Sequence, residues 1–148
     1  MQILNSQNYF TNDQLEKILK KLGDEYNIDL LIIVENRGEL FKYEGVKMSL
    51  TRLIQTLFAQ IEGAYIPSTK TVMIFVFAQN EYRDFQSSQL YSIHALLHEL
   101  RHAYQCNKEL AVSEDDSDNF ATKYINKNSK FFARIMGWED EWEVEEED

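Results

Sequence analysis

One cysteine, Cys106, is present in 148 residues, so no intramolecular disulfide can form and a disulfide-stapled secreted scaffold is excluded. One proline and five glycines leave no room for a long low-complexity linker. No apolar run approaches the roughly 20 residues a membrane helix needs. Basic residues are also scarce: 15 Lys and Arg stand against 25 Asp and Glu, for a net charge of −10. Phosphate contacts require clustered Lys and Arg, so nucleic acid is a disfavoured partner. The start, Met1-Gln2-Ile3-Leu4-Asn5, lacks the basic and apolar regions of a signal peptide. The expected compartment is therefore the cytoplasm, without membrane association.

What remains is an ordinary globular composition, 44% hydrophobic and 27% charged, which excludes wholesale disorder and coiled-coil arrays. The length suits one domain around one core. The acidity is unevenly placed. Residues 139–148 hold eight acids and no base, leaving −2 on the rest. The expected organisation is a single domain over 1–137 followed by an acidic tail over 138–148. The tail is expected to be a solvated end anchored only by Trp138 and Trp142.

The local signals alternate between helix and strand. Thr11 and Gln14 form a capping box ahead of the stripe Leu15, Ile18, Leu19 and Leu22, and Gly23 ends that helix. Ile28 to Val34 is a β-branched and Leu run, read as a buried strand. Asn36-Arg37-Gly38 turns it into a shorter strand, Leu40 to Tyr43. Ser49 caps a second helix with the stripe Leu50, Leu53, Ile54, Leu57, Phe58 and Ile61, closed by Gly63. A short strand, a turn at Pro67-Ser68 and a longer strand from Thr71 to Phe77 follow, with Pro67 placing this unit toward a sheet edge. A third helix is expected from Asp84 to Cys106. A fourth runs from Ser113 to Gly137, interrupted around Asn126-Lys127-Asn128. This order describes an α+β fold with the last two helices packed against a small sheet.

The chain has three histidines, His94, His98 and His102, all within the third helix. His98-Glu99-Leu100-Arg101-His102 reads H-E-x-x-H. A spacing of four stacks both imidazoles on one side of a helix, where they can chelate one zinc ion. Leu90, Ile93, Leu97, Leu100 and Tyr104 form the opposing core stripe. Glu99 is placed to hold and deprotonate a metal-bound water rather than to ligate. Catalytic zinc needs a third protein ligand and an open fourth position. No histidine lies downstream, so the third ligand is a carboxylate or Cys106. In Glu114-Asp115-Asp116-Ser117-Asp118, Glu114 can ligate while Asp118, one turn on, accepts a hydrogen bond from the outer nitrogen of a ligand histidine. The same stretch also reads as a helix start, because Ser113 with Asp116 is an N-cap pair and acids in a first turn suit the helix dipole. His94 and Cys106 extend the four-residue spacing but drift about 40° per step around the helix, so His94 reads as a supporting or surface residue and Cys106 as a buried thiol.

Together, His98-Glu99-x-x-His102 and Glu114-x-x-Ser117-Asp118 resemble the zincin metallopeptidases whose third ligand is glutamate. Within that group the chain is most similar to the short phage- and mobile-element-associated peptidases of the ImmA/IrrE type, with Glu114, Asp118, Phe120 and Ala121 on the pattern. The resemblance covers about residues 63–125. It departs in the short gap from His102 to Glu114, in the missing Leu-Leu-x-Pro after Phe-Ala, and in the absence of a helix-turn-helix segment.

The resemblance implies a minimal zincin-like fold. It also implies a Zn²⁺ cofactor held by His98, His102 and Glu114, with Glu99 as catalytic base. The expected activity is hydrolysis of a protein or peptide substrate, with a regulator of a phage or mobile element among the expected partners. The competing expectation is a catalytically silent zinc-binding regulatory protein of the same fold. Tyr65, Tyr104, Tyr124 and Arg134 are the candidates for oxyanion support, and the substrate is expected to lie extended along residues 71–77.

Overall fold

The structure, a computed structural model, describes residues 1–35 and 63–145. The expected strand Leu40 to Tyr43 and the expected helix Leu50 to Ile61 lie outside the described residues. The architecture is α+β. Strands β1 (Gln2–Asn5), β2 (Leu30–Val34), β3 (Gly63–Ile66) and β4 (Thr71–Phe75) form one mixed sheet in the order β1-β2-β4-β3. β1 pairs parallel with β2, β2 parallel with β4, and β3 antiparallel with β4. Helix α1 (Asn12–Leu22) follows β1, and helices α2 (Phe85–Asn107), α3 (Glu114–Lys127) and α4 (Ser129–Met136) follow β4.

The helix boundaries follow from side chains near each end. The Thr11–Gln14 capping box forms, and Gly23 at φ 89° closes α1 where a side chain would be strained. Asp84 caps α2 by accepting from the Ser87 N–H, and Ser113 caps α3 by accepting from the Asp116 N–H. The chain breaks at Asn128, inside the expected interruption, so two helices stand where one long one would otherwise run.

Strands β2 and β4 are apolar except for Thr71, the composition expected of strands covered on both faces. Leu31, Ile33, Val72 and Ile74 meet Leu15 and Ile18 of α1, Ile93, Leu97 and Leu100 of α2, and Ile125 and Phe132 beyond. Ile32, Val34, Ile66, Met73 and Phe75 form a second buried cluster on the opposite face. Each such side chain contributes about 1.5–3 kcal/mol on burial, and this packing fixes α2 against the sheet. At the end of β4 the Phe77 N–H donates to the buried Ser92 hydroxyl of α2 at 2.9 Å, which sets where along the sheet the helix sits.

Two expectations need correction. The first element is the strand β1, not a helix. Gly63 opens β3, and the helix it was expected to close lies outside the described residues. The strand beginning at Thr71 is interior, flanked by β2 and β3, so among the described residues the edge next to it is β3.

The C-terminal segment also differs. Trp138 is buried and donates its indole N–H to Gln89 at 2.7 Å, and Trp142 packs beside it. The Asn126 side chain then grips Val144 from both sides, donating to its carbonyl at 2.8 Å and accepting from its N–H at 2.7 Å. The tail is thus pinned at least to Val144, well beyond the two tryptophans. Deleting residues 143–148 removes that pair of hydrogen bonds and the contacts of Val144. The expected loss is about 1–2 kcal/mol, a fall in Tm of roughly 3–8 °C by calorimetry. An unchanged Tm would show the grip to be without energetic weight.

Candidate metal centre

Helix α2 carries the H-E-x-x-H residues and α3 returns antiparallel to present its first turn to them. The reversal between the helices is tight. Glu109 takes φ 56°, while the Leu110 N–H bonds the Gln105 carbonyl and the Glu109 N–H bonds the Cys106 carbonyl. This pair of bonds ends a helix through one left-handed residue. Arg101, between the two histidines, locks the helices together. Its guanidinium meets both Asp116 oxygens at 2.8 and 3.3 Å, donates to the Tyr26 hydroxyl at 2.7 Å, and lies over the Tyr104 and Phe120 rings. That ion pair, with a hydrogen bond from Gln105, holds the Asp116 carboxyl below the usual range.

This hairpin brings together the residues that the sequence separates. The Nε2 atoms of His98 and His102 lie 3.2 Å apart. The two oxygens of Glu114 complete a triangle with them, Oε2 at 3.0 Å from His98 and Oε1 at 2.9 Å from His102. Zinc bound tetrahedrally at about 2.0–2.1 Å has ligand–ligand edges of about 3.3–3.4 Å. The two imidazole nitrogens, 3.2 Å apart, therefore stand at about the spacing such an ion requires, with the Glu114 carboxylate beside both. The outer ring nitrogens are also held: His98 Nδ1 meets Asp118 Oδ1 at 2.7 Å, and His102 Nδ1 meets Gln105 Oε1 at 2.9 Å. Two nitrogens, one carboxylate and secured outer nitrogens make a donor set that suits zinc.

Glu99 also lies close, its carboxylate within 4.8 Å of both imidazoles. The Glu114 carboxylate, unlike that of Glu99, touches both rings, and does so from the solvent side. Glu99 is buried instead, and accepts a hydrogen bond from the Tyr65 backbone N–H of β3. Burial is the main influence on its carboxyl, outweighing the nearby histidines, and pushes it up to about 7. Gly63 is what lets β3 come this near. A Cβ there would stand 2.8 Å from both the Met73 carbonyl and the Ile74 side chain, and 3.1 Å from Glu99 Cγ.

A cleft of about 220 Å³ opens beside these groups, lined by Gly63, Phe77, Tyr91, Ala95, His98 and Glu99 among others. His94 also reaches it, but its Nε2 bonds the Thr122 hydroxyl at 3.0 Å, tying α2 to α3 away from the donor triangle. Cys106 is partly exposed, not the buried thiol expected.

The oxyanion candidates are spread out. Tyr104 stacks on Tyr26, Tyr124 packs between Phe120 and Phe132, and Arg134 is exposed in the last turn of α4. Burial pushes the Tyr124 phenol up to about 12. Among the described residues lining the cleft, the phenol is that of Tyr91, which the sequence did not single out. Gln105 and the Arg101–Asp116 pair were likewise missed, because nothing in their spacing distinguishes them from surface polar residues.

Among the described residues no helix is long and apolar enough to cross a membrane. Comparison of the chain with known protein families, with curated proteins and with solved structures gives no match.

Proposed function

We propose that the chain is a zinc-dependent peptidase of minimal zincin-like fold, with His98, His102 and Glu114 as the metal ligands. The observation that carries this reading is the pair of imidazole nitrogens 3.2 Å apart with one carboxylate across them, its two oxygens 3.0 and 2.9 Å from His98 and His102. Zinc bound there would supply Lewis acidity, lowering the pKa of a water toward ~7 and polarising a scissile carbonyl. Asp118 holds the His98 ring through Nδ1. Glu99 takes the proton from the attacking water and returns it to the leaving amine. Ala95 leaves space beside it, and the Tyr65 N–H fixes its carboxylate from the strand side. A peptide substrate is expected to lie extended against β3, the antiparallel edge among the described residues, rather than following residues 71–77.

The test is metal content together with hydrolysis. Protein purified without chelator is expected to carry about one zinc per chain and to cleave members of a broad peptide library. No bound zinc, even after zinc is added, overturns the reading. Stoichiometric zinc without cleavage of any peptide or protein offered would favour a regulatory zinc-binding protein instead.

A further inference from the structure

A second groove opens from the cleft beside Glu99. The two share Tyr91, His94 and Asp118, so a chain lying in one passes directly into the other. The groove has a volume of about 510 Å³, within the range of sites that enclose a ligand. One wall is α3, through Asn119, Thr122 and Lys123. The other is the C-terminal segment, through Val144 and Glu145. That segment is fastened to both helices of the donor site. Trp138 donates to Gln89 of α2, and Asn126 of α3 holds the backbone N–H and carbonyl of Val144. Val144 packs on the core, while Glu145 is exposed and faces the groove.

An extended peptide presents N–H and C=O groups alternately along its length. The groove offers partners for both: the Asn119 amide and Lys123 ammonium as donors, the Asp118 and Glu145 carboxylates as acceptors. Its charge is uneven. Among the described residues that line it, Lys123 is the one lysine or arginine, against two carboxylates. Glu145 also belongs to the stretch 139–148, which holds eight acids and no base. A cationic side chain is drawn toward that wall and an anionic one repelled.

We propose that this groove binds an extended peptide segment with a Lys or Arg side chain set against Glu145, so that the C-terminal segment helps select what enters the cleft. The selection of a cleavage substrate rests on the peptidase reading above; peptide binding in the groove does not.

Nitrogen-15 NMR titration of the full chain, carrying Glu99→Gln so that no probe is cleaved, reads binding directly. The probes are two capped peptides, Ala-Val-Lys-Val-Ala and Ala-Val-Glu-Val-Ala. The lysine peptide is expected to shift the amide signals of Asn119, Thr122, Lys123, Val144 and Glu145, and to bind more tightly than the glutamate peptide. Adding Glu145→Lys is expected to weaken the lysine peptide by about 3–10-fold and to reverse the preference, at unchanged far-UV circular dichroism. The Asn126 grip on Val144 uses backbone atoms, so this substitution leaves the wall in place. Deleting residues 143–148 removes the wall and is expected to weaken the lysine peptide at least as much.

The proposal is overturned if neither peptide shifts these signals at millimolar concentration, if the two bind equally, or if a folded Glu145→Lys chain keeps the original preference. If Glu145→Lys does not fold, the preference before substitution and the deletion decide. A chain that binds the lysine peptide here but whose parent cleaves nothing defeats the peptidase reading alone. A parent that cleaves peptides while these signals stay unmoved defeats this proposal alone.

Discussion

Glu99→Gln is expected to keep its zinc and lose peptide hydrolysis by about 10²–10⁴-fold, the range a positioned general base contributes. The amide preserves the shape of the side chain but cannot take a proton from water. The loss should appear in kcat, because Glu99 lies beside the donor triangle rather than within it. A stability measurement guards against the trivial explanation. The Glu99 carboxyl is lifted from its ordinary 4.5 to about 7 by burial. Its folded-state pKa is therefore above the unfolded one, and the folded state binds the extra proton between those values. The metal-free parent is then expected to lose stability as pH rises from about 4.5 to about 7, with no further change from this group above that. Glu99→Gln removes this titration, so the part of the decline that Glu99 causes should be missing from its pH profile, and its stability should be no lower than the parent's at pH 7 and above. Retained hydrolysis in a zinc-loaded Glu99→Gln protein would show that the proton goes elsewhere.

Removal of a ligand has a different signature. Glu114→Ala and His102→Ala are expected each to weaken zinc binding by more than the roughly 10–100-fold that follows when a ligand loses its hydrogen-bonded support. Glu114 is the cleaner test. Its side chain is 73% exposed, so truncation leaves no buried cavity, and Ser113 still caps α3. A competition titration against a coloured chelator reads the change. Parent-like affinity in Glu114→Ala would leave Glu114 as a helix-start acid. The ligand would then have to be sought at Asp115 or Cys106, since Asp118 already serves the far side of the His98 ring. His102→Ala also frees Gln105 from one partner, so part of its effect is expected as lost stability.

Much of this site was legible because its signals are local. Helix spacing alone places His98 over His102, and Ser113 with Asp116 marks the start of α3 and so the position of Glu114. The break at Asn128 and the Thr11–Gln14 box were legible for the same reason. What the sequence hid depends on partners distant in the chain. β1 is four partly polar residues whose strand state comes from pairing with Leu30 to Ile33. The order of β3 and β4 at the edge is a matter of which strand finds β2, and apolar runs do not encode it. The grip of Asn126 on Val144 joins two unremarkable residues through backbone atoms, which leave no trace in side-chain pattern. Gln105 is hidden most completely: a polar residue in a helix looks solvated until α3 closes over it.

The Arg101–Asp116 lock bears on the order in which the molecule assembles. Its two residues, like the donors His98 and Glu114, lie within 16 positions of each other, joined by one tight reversal. The sheet instead waits for parallel encounters such as Leu30 with Thr71, which require long loops to close. Loop-closure entropy makes distant pairings slow relative to local ones. The α2–α3 hairpin is therefore expected to take shape early, with its donor triangle already facing one way, while the strand that will carry the Tyr65 N–H to Glu99 arrives late. On that timetable the nascent chain would acquire the hairpin that brings His98, His102 and Glu114 together before it acquires the cleft beside them.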